Sequence, residues 1–232
     1  MIAVQGGTFT MGCTPEQGDD CYGLEKPAHQ VSVSDFYIGK YEVTQAQWRA
    51  VMGTTVRQQR EKSNHISLIP GEGDNYPMYY VSWEEVQRFI RRLNASTGKT
   101  YRLPTEAEWE FAARGGNKSR GYKYSGSDTA GNVAWYIENS NDGINPVGTK
   151  SPNELGIYDM SGNVLEWCYD WYEDYSSNAQ TDPRGPTSSF FRVARGGSWF
   201  YSARIKRVSN RNYYRPDSGN FNLGFRLACS SD

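Results

Sequence analysis

The sequence predicts an α+β fold with much irregular structure, and three observations carry that expectation. Tyr (17), Trp (7) and Gly (24) are abundant over 232 residues, a profile found where loops and buried aromatics outweigh long amphipathic helices. Helical periodicity with start and stop signals is confined to the chain before Gly116. Beyond it, Gly, Asn, Asp, Ser and Pro are dense and short apolar stretches recur without helical spacing, so loops pinned by a few strands are expected there.

The elements follow in order. Gly6 to Gly12 and Gln30 to Ile38 alternate with a period of two and read as strands. Val43 to Met52 reads as a short helix, closed by Gly53. Ser82 and Glu85 form a capping box that opens the best helix of the chain, with Val86, Phe89, Ile90 and Leu93 on one face before Gly98. Thr105 and Glu108 repeat the box in Pro104 to Arg114, and Gly115-Gly116 is the stop. With 37% hydrophobic and 14% aromatic residues the chain can bury a sizeable core, and one domain over residues 1–232 is expected. An irregular stretch as long as the second half points to binding loops, internal metal ions, or both.

Charge narrows the partners. Formal net charge is −1, from 25 basic and 26 acidic residues without a run of like sign, so nothing draws the chain toward nucleic acid or a membrane surface. No segment approaches the roughly 18 apolar residues of a spanning helix. Met1 to Gly7 has neither a basic nor an apolar leader region, so an export signal would lie outside this sequence. Of four cysteines, Cys13 and Cys21 flank a polar loop, which an oxidising compartment could close with a disulfide; two free thiols in a reduced protein are the alternative. Two histidines, His29 and His65, and no C-x-x-C leave zinc without its usual spacing.

Six ordered motifs are then recognisable: Gly6-Gly7-Thr8-Phe9-Thr10-Met11-Gly12, Tyr41-Glu42-Val43-Thr44, the segment from Tyr101 to Glu110, Gly162-Asn163-Val164-Leu165-Glu166-Trp167, Arg195-Gly196-Gly197-Ser198-Trp199 and Leu223-Gly224-Phe225-Arg226. From about residue 5 to 228 the chain resembles the formylglycine-generating enzyme (sulfatase-modifying factor) family. The resemblance implies a C-type-lectin-like fold. In the enzymes, two cysteines five residues apart, shortly after the Gly-Gly-Ser-aromatic motif, bind copper and carry out the thiol chemistry. The matching positions here are Tyr201 and Lys206, and a phenol and an ammonium cannot supply two thiolate ligands. The expectation is a non-catalytic protein without a catalytic cofactor. An enzyme of the same family with another chemistry, using the loop from Gly53 to Pro77 with His65, is the competing reading.

The segment from about 195 to 226 also looks like the variable region of a target protein of a diversity-generating retroelement, a group that includes lectin-fold proteins of this kind. Copying errors at adenine turn Asn codons into Tyr, Ser, Phe, Ile, Arg and Gly codons. The clusters Phe200-Tyr201-Ser202, Tyr213-Tyr214-Arg215 and Ser218-Gly219-Asn220-Phe221-Asn222 hold that palette, whereas Lys206 does not fit it. Binding loops favour the same residues, because rigid aromatics give contact area at low entropic cost and small polar residues adapt their hydrogen bonds. Phe200, Tyr201, Ser202, Ile205, Tyr213, Tyr214, Arg215, Ser218, Gly219 and Phe221 are therefore expected on one solvent-facing surface, over buried Trp199, Val208, Leu223 and Phe225. The partner is expected to be a protein or other macromolecular ligand, and the resemblance implies display at the cell surface, as a lipoprotein or similar.

Finally, the family uses calcium to order its loops. One matching set is Asp159, Gly162, Val164 and Glu166, with two carboxylates and two backbone carbonyls; the other is Asn132, Val133, Asp142 and Ile144. All-oxygen shells of this kind suit calcium. Turn-capping Asp and Asn residues are the alternative.

Overall fold

The computed structural model describes residues 1–63 and 68–231. His65 lies outside the described residues. The strands are β1 (Ile2–Val4), β2 (Gly7–Met11), β3 (His29–Val33), β4 (Phe36–Ile38), β5 (Tyr101–Arg102), β6 (Leu165–Trp171), β7 (Gln180–Thr181), β8 (Arg192–Arg195), β9 (Arg211–Tyr214), β10 (Leu223–Gly224) and β11 (Ala228–Ser230). The α-helices are α1 (Gln45–Met52), α2 (Val56–Lys62), α3 (Trp83–Thr97), α4 (Glu106–Ala113) and the single turn α5 (Ala130–Val133). This is the expected α+β content, with helices early and loops late.

Each expected helix forms, within two residues of its expected ends. Thr44, Ser82 and Thr105 accept from the N3 amides of α1, α3 and α4, while Gln47, Glu85 and Glu108 return the bond to the cap amide. Gly53 and Gly98 close α1 and α3 in the left-handed conformation, which glycine adopts without a Cβ penalty. The sequence reading missed α2, although Thr55 and Gln58 form the same box; the seven-residue helix is too short to show periodicity. The run expected as one strand from Gln30 to Ile38 is two, β3 and β4, broken at Ser34-Asp35. Asp182 accepts from both the backbone N–H and the Oγ of Ser34 at 2.7 Å, and Asp35 from the Gly6 N–H at 2.7 Å. Side chains thus replace the strand ladder at the break.

Three sheets result, ordered β1-β4-β11-β5, β10-β6-β8-β9 and β2-β3-β7. The first joins both ends of the chain, since β4 lies between antiparallel β1 and β11. The second is the platform of the site. β6 pairs antiparallel with β8, β8 with β9, and β10 runs parallel to β6 through Leu223↔Leu165. One apolar cluster packs α1 and α3 against this sheet, with Trp48 stacked on Phe89 at 5.3 Å and Phe225 edge-on to both. A second places α4 against β2 and β3.

Charged side chains are buried in pairs. Arg195 pairs with Glu106 and Glu110, Arg211 with Glu106, Arg207 with Glu25, and Arg226 with Glu166. Such pairs leave a charge uncompensated if one member is removed. Cys13 and Cys21 are joined by a disulfide. Its loop and the turn after it pack against the C-terminal segment: Ser209 Oγ donates to Glu25 and lies 3.1 Å from Gln17 Oε1, and Glu25 holds Arg207.

Candidate ligand-binding surface

The segment between β8 and β10 is fastened through its backbone. Lys206 Nζ donates to the carbonyls of Tyr201 and Ser202 at 3.0 and 3.2 Å, and the Ile137 N–H reaches Tyr201 O at 3.1 Å. Arg207 Nε donates to Arg204 O at 2.7 Å, and Ser161 Oγ to Lys206 O at 2.8 Å. Further along, the N–H of Tyr80 bonds Asn220 O at 3.0 Å and that of Leu165 bonds Asn222 O at 2.8 Å. Trp199, Val208, Leu223 and Phe225 are all buried beneath, as expected. Backbone anchoring holds the loop's path whatever side chains stand at the outer positions.

Those outer positions form an aromatic patch. Phe200 is 43% exposed and meets Trp199, Tyr201 and Phe221 edge-on with centroids 5.2–5.5 Å apart. Tyr201 hydrogen-bonds Tyr214, whose ring meets buried Trp167 and whose phenol is pushed up by burial. Ser202 is exposed on the same turn and Ile205 half-buried. Arg215 is exposed and Ser218 half-buried in the turn after β9, where the Ser218 N–H bonds Arg215 O at 3.0 Å.

Tyr201, Tyr214 and Phe221 are only half-exposed and pack against the core cluster of Trp48 and Phe225, and two of the ten expected positions leave this surface altogether. Tyr213, 39% exposed, points to the opposite side of β9 from Tyr214, because successive strand residues face opposite ways. Its ring packs on Tyr172 at 4.3 Å and Phe191 at 5.0 Å. Gly219 is buried, and a Cβ there would lie 2.9 Å from Tyr80 O, so this position cannot carry a side chain without moving backbone. The sequence reading also missed neighbours from elsewhere in the chain. Ile137, 46% exposed, is tied to Tyr201 through its amide, and Tyr22 lies under the Arg204 guanidinium at 4.7 Å. Both are distant in sequence, and no local signal marks them.

The positions matching the enzymes' cysteine pair do not fit copper. Lys206 is fully buried and its ammonium is pushed down to about 7 by burial. The two cysteines outside the disulfide, Cys168 and Cys229, lie outside this segment. The Cys168 thiol is held well above its usual range by burial first and then by Glu106 and Asp170, the opposite of an activated thiolate.

The expected calcium ligands divide. Asp159 Oδ2 accepts from the Gly148 N–H at 2.7 Å, whereas Oδ1 is buried without a hydrogen-bond partner among the described residues. Burial pushes this carboxyl up to about 6. Glu42 is held well above the carboxylate range by burial, then by Asp159 and Glu166. Three buried carboxylates, Glu42, Asp159 and Glu166, thus lie about the guanidinium of Arg226, although among the described residues no group of three or more His, Cys, Asp or Glu is placed to hold a metal ion. Glu166 is engaged otherwise: Arg226 takes both its oxygens at 2.6 Å and Trp109 Nε1 bonds Oε2 at 2.7 Å. Gly162 has φ +94° and closes on Trp135, and Val164 is buried with its N–H on Glu42. In the other set Asn132 and Asp142 are exposed and Val133 and Ile144 buried.

This scaffold, loop-rich and anchoring one aromatic segment by its backbone, is a C-type-lectin-like fold of the formylglycine-generating enzyme type. The chain belongs to the family of the sulfatase-modifying factor enzyme 1-like domain, which it matches over residues 1–231. It is 35% identical to the chaperone protein LppX of Paenibacillus barcinonensis, over 82% of this chain and 80% of that protein. It is 32% identical to the formylglycine-generating enzyme of Streptomyces coelicolor, over 100% of this chain and 89% of the enzyme. Among solved structures it resembles Treponema denticola variable protein 1 with a TM-score of 0.85 and 32% identity, covering 100% of this chain and 95% of that one. No described helix is long and apolar enough to cross a membrane.

Proposed function

We propose that the protein is a non-catalytic binding protein whose aromatic patch, centred on Phe200, Tyr201, Ser202, Tyr214, Arg215 and Phe221, meets a protein or other macromolecular ligand and is diversified by a retroelement. The observation that carries this reading is the separation of backbone from side chain in the segment. Its carbonyls are gripped by Lys206, Arg207, Tyr80 and Leu165, while Phe200, Ser202 and Arg215 project outward. An exposed substitution costs within about 0.5 kcal/mol, so Phe200, Ser202 and Arg215 can change while the fold persists, whereas Tyr201, Tyr214 and Phe221 also pack on the core. The likeness to a variable protein supports the same reading, and the mismatch with copper at Tyr201 and Lys206 speaks against formylglycine chemistry. The Cys13–Cys21 disulfide accords with display outside the reducing cytosol.

A library randomised at the six patch positions tests this. Most members are expected to express and melt cooperatively, and selection against a model protein target is expected to yield binders that use those positions. A library that is largely unfolded refutes the diversified surface, and formylglycine formed on a sulfatase-type peptide refutes the non-catalytic reading. The gene locus is a second check: a near-copy of codons 195–226 beside a reverse transcriptase gene is expected.

The same reading includes a structural calcium ion at Asp159, supported by its unpartnered Oδ1 and the surplus of buried carboxylates around it. Chelation with EGTA is expected to lower the melting temperature, because an ion bound only by the native state stabilises it by mass action. Melting that ignores calcium refutes it.

A further inference from the structure

Away from the aromatic patch, a cavity of about 540 Å³ opens between the N-terminus of α4, the end of β6 and loop 173–186. The loop is fixed on both sides. β7 pairs with β3 and Asp182 caps Ser34, while Gly185, at φ +71°, comes so close that a Cβ would lie 2.8 Å from Trp171 O. The cavity is therefore pre-formed.

Its lining offers acceptors. Arg211 is spent: Nε and Nη2 bond Glu106, Nη1 bonds Leu24 O, and Nη2 also reaches Glu173 O. Glu106 is in turn neutralised by Arg211 and Arg195. Asp170 differs. It is 4% exposed, lines the cavity, and accepts the Glu106 N–H at 2.8 Å; Arg195 and Arg211 are held by Glu106, and Arg192, which feels its charge, is stacked on Trp83 and Trp171 instead of pairing with it. Burial first, then Glu106, pushes its carboxyl up to about 8, so it keeps a proton near neutrality until a cation arrives. At the mouth, exposed Glu173 and Asp174 outnumber exposed Arg184. A metal ion is a poor match here, because Glu106 is already held by Arg195 and Arg211 and no second uncommitted buried carboxylate stands beside Asp170 in the lining.

We propose that this cavity binds a primary ammonium or guanidinium group, with Asp170 as the carboxylate that receives it and Glu173 and Asp174 as its acidic entrance. The ligand's charge supplies the counter-ion that Asp170 lacks, and its N–H donors match the acceptors of the wall.

The test uses the full chain, ¹⁵N-labelled, titrated with agmatine, with an acetyl-Gly-Arg-Gly-amide peptide and with uncharged N-butylacetamide. The expected result is a saturable shift of the Glu106 amide with a cationic probe and not with N-butylacetamide. Proton release is expected with it, seen by calorimetry in two buffers near pH 7, as Asp170 ionises. Agmatine alone binding assigns a free amine, and the peptide binding assigns a polypeptide side chain. Asp170→Asn, which keeps an acceptor for the Glu106 N–H, is expected to weaken binding about tenfold or more, and Asp174→Asn by less. If Asp170→Asn fails to fold, proton release by the wild type and the Asp174→Asn and Glu173→Gln affinities decide. The proposal is overturned by the lack of a saturable shift with either cation, by equal binding of N-butylacetamide, by binding without proton release, or by a folded Asp170→Asn variant of unchanged affinity.

Discussion

Replacing Lys206 by Met should change how stability responds to pH. Lys206 is fully buried, its ammonium is pushed down to about 7 from an ordinary value of 10.5, and its Nζ holds the Tyr201 and Ser202 carbonyls. The folded pKa is depressed, so between about 7 and 10.5 the unfolded chain binds the extra proton and stability rises with pH. Below pH 7 the cost of burying the charge is fully present. The slope is about 1.4 kcal/mol per pH unit, or about 2 kcal/mol between pH 8 and 9.5. Asp170, raised to about 8, works in the opposite sense, stability falling as pH rises from its unfolded value to its folded one, but it is nearly flat above pH 8. Cys168, also raised, loses stability with rising pH and is common to both proteins. The comparison with Lys206→Met therefore isolates the lysine: the wild type should gain about 2 kcal/mol on the variant over this window. Urea denaturation at three pH values measures it, provided unfolding is two-state. Parallel pH profiles for wild type and variant would refute the buried, depressed amine.

Three further outcomes follow from the packing. Phe200→Ser, Ser202→Ala and Arg215→Ser should each change stability by about 0.5–1 kcal/mol or less, whereas Phe225→Ala, opening a hole beside Trp48 and Phe89, should cost about 3–5 kcal/mol; denaturation midpoints decide, and equal costs contradict the division of patch from support. Arg207→Met leaves the Glu25 carboxylate buried beside Ser209 without its guanidinium and should cost about 3–5 kcal/mol, with calorimetric melting as the check. Gly219→Ala drives a Cβ to within 2.9 Å of Tyr80 O and should cost about 1–3 kcal/mol; a neutral result would show that the loop yields there and would return this position to the variable set.

Elements whose signals are local could be read from the chain alone. Capping boxes at Ser82 and Thr105 and stops at Gly53 and Gly98 placed three helices, because the groups that satisfy a helix end lie within four residues of it. The alternation around β2 and the apolar anchors Trp199, Val208, Leu223 and Phe225 were legible for the same reason, each declaring its own burial. Which faces meet depends on contacts between segments far apart in the chain. Tyr213 and Tyr214 are adjacent and alike in composition, yet β9 sends one to Tyr172 and the other to Trp167. Gly219 belonged to the variable palette until Tyr80 closed against it. Glu166 had a ligand's spacing, but Arg226, sixty residues on, takes its carboxylate. Ile137 joins the surface through one backbone hydrogen bond, its N–H donating to Tyr201 O. The missing information is of one kind: charge pairing and backbone approach between segments far apart in the chain depend on where the loops are laid, and a linear pattern holds no record of that distance.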